Sequence, residues 1–148
     1  MSRVVMLDTS VLGIVTNPRH SPLTVACRQW MESLTSGGAQ VIVPEIADYE
    51  LRRELLRVKK KRGLAHLERL ISQIKYLPIT TAAMRQAAAF WAQARQQGQP
   101  TAGDNTIDCD MILAAQAFTL GVTDFVIATT NVRHLSRFVP ADLWQNIS

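Results

Sequence analysis

Short apolar segments that alternate with longer amphipathic ones constrain the fold of this chain more than any other feature of its sequence. Four of them predict strands, namely Val4–Leu7, 40–43, 75–78 and 124–129. The first two have the composition of fully buried strands, which is typical of a parallel sheet. Because strands that alternate with helices connect through right-handed crossovers, we predict an α/β fold whose parallel sheet is covered on both faces.

The segments between and after these strands predict five helices. They are expected at 22–34, 45 to about 61, 64–74, 81–97 and 110–120. Ser21 and Pro22 supply the N-cap and the first helical residue of the first of these, and Gly37 follows its end. Residues 96–105 are polar and contain two glycines and a proline, which predicts a loop rather than a linker between domains.

Length and composition favour one compact domain, residues 1–148, with 47% apolar residues available for its core. The apolar segment at the N-terminus is too short for a signal peptide or a membrane span, so we expect a cytoplasmic protein. Cys27 and Cys109 are isolated, which indicates neither a disulfide framework nor a zinc site. The net charge of +4 is compatible with an anionic partner such as nucleic acid.

The first candidate for chemistry is Asp8, which directly follows the first predicted strand and precedes Thr9 and Ser10. The carboxyl ends of parallel strands meet at one edge of the sheet, and ligands bind at that edge. Asp8 could equally cap the next helix without any further role. The sequence around it leaves both interpretations open.

Glu50 is the second candidate, on the margin of the apolar face of the helix that follows the second strand. A carboxylate in that position needs a partner. It either pairs with Arg53 or Arg57, or points to the strand ends and shares a cation with Asp8. Weaker candidates on the same helix are Glu45 and Glu54.

A third group of acids, Asp104, Asp108 and Asp110, lies around the start of the last predicted helix. One of them would suffice as an N-cap, and clustered like charges repel unless a cation screens them. Mg²⁺ prefers oxygen ligands and suits carboxylates that converge from distant segments. The polar residues 129–131, Thr-Thr-Asn, end the fourth strand and either join such a site or form a turn.

Basic residues accompany Glu50 on its predicted helix. They are Arg52, Arg53, Arg57, Lys59, Lys60, Lys61 and Arg62. Such a run would attract a polyanion toward an acidic pocket, or it is simply a solvated helix face.

Four of these segments together resemble a known family. They are 7–12 (Leu-Asp-Thr-Ser-Val-Leu), 49–53 (Tyr-Glu-Leu-Arg-Arg), 108–117 (Asp-Cys-Asp-Met-Ile-Leu-Ala-Ala-Gln-Ala) and 129–135 (Thr-Thr-Asn-Val-Arg-His-Leu). In this order, and across essentially the whole chain, they are similar to PIN domains of the toxin type, the VapC-like ribonucleases of toxin–antitoxin operons. The resemblance implies a three-layer α/β/α fold with a mostly parallel sheet. It also implies Mg²⁺- or Mn²⁺-dependent cleavage of single-stranded RNA.

The resemblance also assigns roles to individual residues. The family's acids fall on Asp8, Glu50 and Asp110, with Asp108 as a further carboxylate, and these four are the expected metal ligands. Asn131 occupies the fourth acidic position of the family and supplies a neutral oxygen, so the number of metal ions stays open. The family further implies a homodimer and a small antitoxin whose C-terminal segment occupies a groove over the acids.

Other classes of protein make different demands on the sequence. A response-regulator receiver domain needs paired acids after its first strand, where this chain has Asp8 alone. A haloacid-dehalogenase phosphatase needs Asp-x-Asp-x-Thr at the same place. A non-catalytic basic module that binds RNA or a partner remains as the alternative, and it predicts no affinity for metal.

Overall fold

The computed structural model describes residues 3–97 and 104–148, and for residues 104–107 the backbone alone. Within these ranges the chain forms five strands, six α-helices and a short 3₁₀ helix. In chain order they are β1 (Val4–Leu7), α1 (Thr9–Thr16), α2 (Pro22–Ser36), β2 (Gln40–Pro44), α3 (Glu45–Arg57), α4 (Lys61–Gln73), β3 (Lys75–Leu77), α5 (Thr81–Gln96), α6 (Asp104–Phe118), β4 (Phe125–Thr129), β5 (Ala141–Leu143) and the 3₁₀ helix Trp144–Asn146.

The strands form one sheet in the order β3-β2-β1-β4-β5, and every neighbouring pair is parallel. Met6 in the central strand β1 is in register with Ile42 on one side and Ile127 on the other. Because all strands run the same way, the ends of β1, β2 and β4 lie at one edge of the sheet. The predicted parallel α/β fold is confirmed.

Alternation along the strands divides the core into two halves, one on each face of the sheet. Met6 packs with Ile42 and with residues of α5 and α6, including Phe90. Val5 packs on the opposite face with residues of α1, α2 and α4, including Leu67. Helices therefore cover both faces, which gives the three-layer α/β/α arrangement that was predicted.

Helix α2 begins as its sequence predicts. The Ser21 hydroxyl accepts a hydrogen bond from the Thr24 backbone N–H at 3.1 Å, and the Thr24 hydroxyl accepts one from the Ser21 N–H at 2.9 Å. Pro22 occupies the first turn, and the N–H of Gly37 closes the last one on Ser33. This reciprocal capping box fixes where the helix enters.

The prediction of one helix from 45 to about 61 is wrong, because α3 ends at Arg57 and α4 begins at Lys61. Lys59 adopts a φ of 59° in the turn between them, a conformation that non-glycine residues seldom adopt. Packing explains the break, since α4 folds back onto α3 so closely that a Cβ on Gly63 would lie 3.0 Å from Leu55. The predicted start of α4 at residue 64 is corrected by the same observation.

The last long helix was predicted to start at 110, but α6 starts at Asp104. Acidic residues in a first turn suit the positive end of the helix dipole, so this polar segment is compatible with helix. Asp108 and Asp110 therefore lie within α6 and not before it. Residues 98–103 of the predicted loop lie outside the described residues.

The sequence also gave no sign of the C-terminal elements. Strand β5 has three residues and pairs with β4. The side chain of Trp144 packs edge to face against Trp30, whose indole N–H donates to the Ile147 carbonyl at 2.7 Å.

None of the helices in the described part of the chain combines the length and the apolarity needed to cross a bilayer.

Candidate active site

Three carboxylates from distant parts of the chain converge at the carboxyl edge of the sheet. Asp8 follows β1 directly, Glu50 lies in the second turn of α3, and Asp110 lies in the second turn of α6. Helix α3 packs against both α1 and α6, which brings Glu50 near the other two acids.

Asp8 is at once a helix cap and a member of this cluster. Its Oδ1 accepts from the Thr9 backbone N–H at 2.6 Å, so it caps α1. Its Oδ2 accepts from the hydroxyls of Thr129 at 2.6 Å and Ser10 at 3.2 Å. The two interpretations that the sequence left open are therefore compatible, because the cap fixes the carboxylate where the strands end.

Glu50 is connected to Asp8 through a single residue. Its Oε1 accepts from the Thr9 hydroxyl at 2.7 Å, while the backbone N–H of the same threonine binds Asp8. The alternative in which Arg57 neutralises Glu50 is not observed, since Arg57 pairs with Glu54. The thiol of Cys109 faces Glu50, and burial together with this carboxylate raises the pKa of Cys109 to about 11.

Asp110 shows the electrostatic character of the site. Burial raises the pKa of Asp110 to about 7, and the negative charges of Asp8 and then Glu50 add to the effect. Asp8 and Glu50 are thus close enough to Asp110 for their charges to disfavour its ionisation. A cluster of this kind gains stability from a proton or from a cation.

The remaining predicted site residues are arranged differently. Asp108 is exposed, and its spacing of two residues from Asp110 places the two side chains on different faces of α6. The side-chain oxygen of Asn131 accepts from the Arg133 N–H at 3.3 Å within a turn. The structure therefore does not bring either side chain into contact with Asp8 or Glu50. The Asp104 side chain lies outside the described residues.

The sequence did not predict the hydrogen bond from Thr129 to Asp8, and it did not indicate Cys109 as a neighbour of the site. The register of β1 and β4 pairs Leu7 with Ala128, so the next residues, Asp8 and Thr129, are also neighbours. Knowing that β1 and β4 are neighbours in the sheet would have been enough to predict the contact between Asp8 and Thr129. Nothing in the sequence indicated that Cys109 would face Glu50.

The weaker candidates on α3 serve other purposes. Glu45 accepts from the Ile79 backbone N–H at 2.7 Å and thereby ties the start of α3 to the segment after β3. Glu54 is exposed and holds Arg57. Neither residue belongs to the carboxylate cluster.

The model of the PIN domain matches residues 5–138 of the sequence. The chain belongs to the PIN domain family. The predicted membership is thus confirmed, because the match includes all four segments on which the resemblance was based.

Solved structures share the fold of this PIN domain. A chain of VapBC2 from Rickettsia felis, bound to a DNA fragment from their promoter, matches with a TM-score of 0.72 and 15% identity over 95% of this chain and 98% of that chain. A chain of DNA-bound VapBC from Salmonella typhimurium matches with a TM-score of 0.70 and 23% identity, over 97% of this chain and 99% of that chain. A chain of VapBC-1 from nontypeable Haemophilus influenzae matches with a TM-score of 0.71 and 17% identity, over 97% of this chain and 99% of that chain. Comparison with curated proteins finds no significant match.

The basic residues of this PIN domain are not the single helical face that was predicted. Arg52 binds Asp48 at 3.0 Å and also Glu68, so it stabilises the packing of α3 and α4. Residues 59–62 lie in the turn between α3 and α4 and at the start of α4, because α3 ends earlier than expected. The physical reason for the correction is the close packing of α4 on α3.

An open groove of about 990 Å³ lies between α1, α3 and α4 in this PIN domain. Leu51, Leu55 and Val58 provide apolar lining, and Arg19 and residues 59–62 provide basic lining. The residues around the groove include neither Asp8 nor Glu50 nor Asp110. The acids of the cluster therefore do not line this groove.

The carboxylates suit a hard divalent cation by their chemistry. Each offers oxygen ligands, and the pKa of Asp110 is raised by burial and then by the negative charges of Asp8 and Glu50. Among the described side chains, however, no three His, Cys, Asp or Glu groups are arranged as a metal site. Mg²⁺ commonly binds through one or two carboxylates and several waters, so the donor set fits even without a complete protein cage.

Proposed function

We propose that this PIN domain, residues 1–148, is a metal-dependent endoribonuclease that hydrolyses phosphodiester bonds of single-stranded RNA in the cytoplasm. The observation that carries the proposal is the convergence of Asp8, Glu50 and Asp110 at the carboxyl edge of the sheet with mutually unfavourable charges. Family membership supports it. A set of acids that repel one another costs stability, and that cost is consistent with a role in binding a cation.

In this proposal Asp8, Glu50 and Asp110 would hold Mg²⁺ or Mn²⁺, whereas Asp108 lies on a different face of α6. When bound, such an ion lowers the pKa of a coordinated water and offsets negative charge on the phosphate. Thr9 and Thr129 fix the orientation of the acids by donating hydrogen bonds to their oxygens.

Residues next to the acids supply neutral polar groups. The Ser10 hydroxyl donates to Asp8 and accepts from the Thr130 backbone N–H at 3.3 Å, which connects the start of α1 to the loop after β4. Asn131 follows in the same loop, where we propose that its amide contacts the substrate phosphate or a water. This chain forms no covalent intermediate in the proposed reaction.

The first experiment measures cleavage of a labelled single-stranded RNA by the purified protein with Mg²⁺, with Mn²⁺ and with EDTA. We expect cleavage that requires metal and that Asp8→Asn and Asp110→Asn abolish. Asp124→Asn is the matched control, because Asp124 is an exposed acid at the opposite end of β4 and pairs with Arg3. It should cleave like the unaltered protein.

Two results would contradict the nuclease. Absence of cleavage under all conditions, together with absence of Mn²⁺ binding, would favour the non-catalytic module that binds RNA or a partner. Equal cleavage by Asp8→Asn and Asp124→Asn would show that the carboxylate cluster is not the active site.

We further propose that the protein is the toxin of a toxin–antitoxin pair and forms a homodimer. The fold is shared with chains of VapBC structures. The groove between α1, α3 and α4 combines apolar and basic lining residues, which suits the binding of a partner segment. Its apolar lining fits an apolar helix face, and its basic residues fit flanking acidic side chains. Coexpression with the product of a small neighbouring reading frame, followed by copurification and light scattering, tests both parts.

A further inference from the structure

Helix α3, which carries Glu50 of the carboxylate cluster, also carries an exposed aromatic ring at the preceding residue. Tyr49 precedes Glu50 in α3, and 54% of its surface is exposed. Arg53, one turn further along the helix, places its guanidinium 5.1 Å from the centroid of that ring. The pair thus presents a stacked aromatic ring and a cation at the rim of the site.

Arg53 differs from the neighbouring arginines of the same helix. Arg52 and Arg57 are held in ion pairs with carboxylates. Within the described part of the chain, no ion pair shorter than 4 Å joins Arg53 to an acid. Its hydrogen bond to Tyr49 is the main cause that raises the pKa of Arg53, and Glu50 adds a smaller contribution. Arg53 is therefore a solvent-accessible cation that faces the acidic site.

A polyanion that approaches three carboxylates is repelled, so productive binding requires a positive group at the entrance. Arginine suits this purpose because its planar guanidinium binds a phosphate through two parallel hydrogen bonds. Proteins bind single-stranded nucleic acid by combining such cations with aromatic rings on which unpaired bases stack. Tyr49 and Arg53 provide both groups within one helical turn.

We propose that Tyr49 and Arg53 form the substrate platform of this enzyme, in which the Tyr49 ring stacks on an unpaired base and the Arg53 guanidinium binds an adjacent phosphate. The inference rests on the proposed ribonuclease function and names how its substrate is held. It predicts that an unpaired nucleotide next to the cleaved bond is required. Double-stranded RNA, whose bases are already stacked on one another, is then a poor substrate.

The test compares Tyr49→Leu, Tyr49→Phe, Arg53→Gln and Arg53→Lys in cleavage of a short single-stranded RNA. Stacking on one base predicts that Tyr49→Leu raises KM about 10-fold or more, whereas kcat stays within about threefold. Tyr49→Phe keeps the ring and should resemble the unaltered protein. Arg53→Gln should raise KM and lower the salt dependence of binding by about one phosphate contact, and Arg53→Lys should recover part of the loss.

Arg57→Gln is the matched control, because it removes the same charge from the same helix one turn further on, where Arg57 pairs with Glu54. It should leave KM unchanged. Both platform residues are exposed, so thermal melting should show that all variants fold. If Tyr49→Leu and Arg53→Gln have the KM of Arg57→Gln, the platform is wrong although the nuclease stands.

Fluorescence anisotropy with the same RNA in EDTA separates the platform from the nuclease. Loss of RNA affinity in Tyr49→Leu and Arg53→Gln supports the platform even if the unaltered protein does not cleave. Equal affinity of all variants overturns it.

Discussion

Helix α3 contributes acids to two regions that treat negative charge in opposite ways. Asp48 is buried, and both of its oxygens are bonded, one by Arg52 at 3.0 Å and the other by the Tyr76 hydroxyl at 2.8 Å. Two residues further on, Glu50 joins Asp8 and Asp110, where hydroxyl and backbone groups donate to Asp8 and Glu50, and where burial and then the charges of Asp8 and Glu50 raise the pKa of Asp110. The first acid is paired with a cation and holds the fold together; the second group leaves its charge available for a cation from solution.

The largest change in stability is expected at the paired acid. Asp48→Ala removes two hydrogen bonds and the ion pair with Arg52, and it leaves the Tyr76 hydroxyl without its acceptor. Because this carboxylate is buried, we expect a loss of about 3 kcal/mol in the free energy of unfolding, measured by urea denaturation.

Glu54→Ala is the control for this prediction, since it also breaks a carboxylate–arginine pair on α3, but on the exposed surface. It should change the free energy of unfolding by no more than about 0.5 kcal/mol. Equal losses for Asp48→Ala and Glu54→Ala would show that burial does not distinguish the two pairs.

The opposite effect on stability is expected at the site. Asp110 has a pKa of about 7 in the folded protein against an ordinary value of 3.8. The folded state therefore binds more protons than the unfolded state between these values, so stability falls as the pH rises from about 4 to about 7 and then levels off. Asp110→Asn removes this dependence.

In EDTA at pH 8, Asp110→Asn should thus be more stable than the unaltered protein. One pKa unit corresponds to about 1.4 kcal/mol, and partial exposure of the side chain reduces the total, which gives a gain of about 2 kcal/mol. At pH 4 the two proteins should unfold at the same denaturant concentration. A gain of equal size at both pH values would contradict the assignment to Asp110.

A smaller effect is expected where Thr129 supports Asp8. Thr129→Val keeps the shape of the buried side chain but removes the hydroxyl that donates to Asp8 at 2.6 Å. We expect a loss of about 1 kcal/mol in stability and a roughly 10-fold slower cleavage, whereas Thr129→Ser should retain both. If Thr129→Val and Thr129→Ser cleave at the same rate, the hydroxyl has no part in orienting Asp8.

The architecture could be predicted because it depends on local patterns. The apolar composition of Val4–Leu7 and of the other strands predicts that they are buried. Parallel strands then have their carboxyl ends at one edge of the sheet. Asp8 and Glu50 could be predicted as neighbours for the same reason. Their catalytic and metal-binding roles, with those of Asp108, Asp110 and Asn131, stay predictions.

Contacts between distant elements could not be predicted. The end of α3 at Arg57 depends on how closely Gly63 approaches Leu55, although the residues from 57 to 61 all suit a helix. The pairing of Asp48 with Arg52 has the spacing of a helical ion pair and was open to prediction. Its burial beneath Tyr76 was not, because it requires the position of β3.

The most direct test of the account is Mn²⁺ binding to the purified protein, measured by electron paramagnetic resonance during titration. We expect the unaltered protein to bind Mn²⁺, Asp8→Asn and Asp110→Asn to lose most of this affinity, and folded Asp48→Asn to retain it. Absence of binding, or equal binding by Asp8→Asn and Asp48→Asn, would contradict the claim that the unpaired acids, and not the paired one, form a cation site.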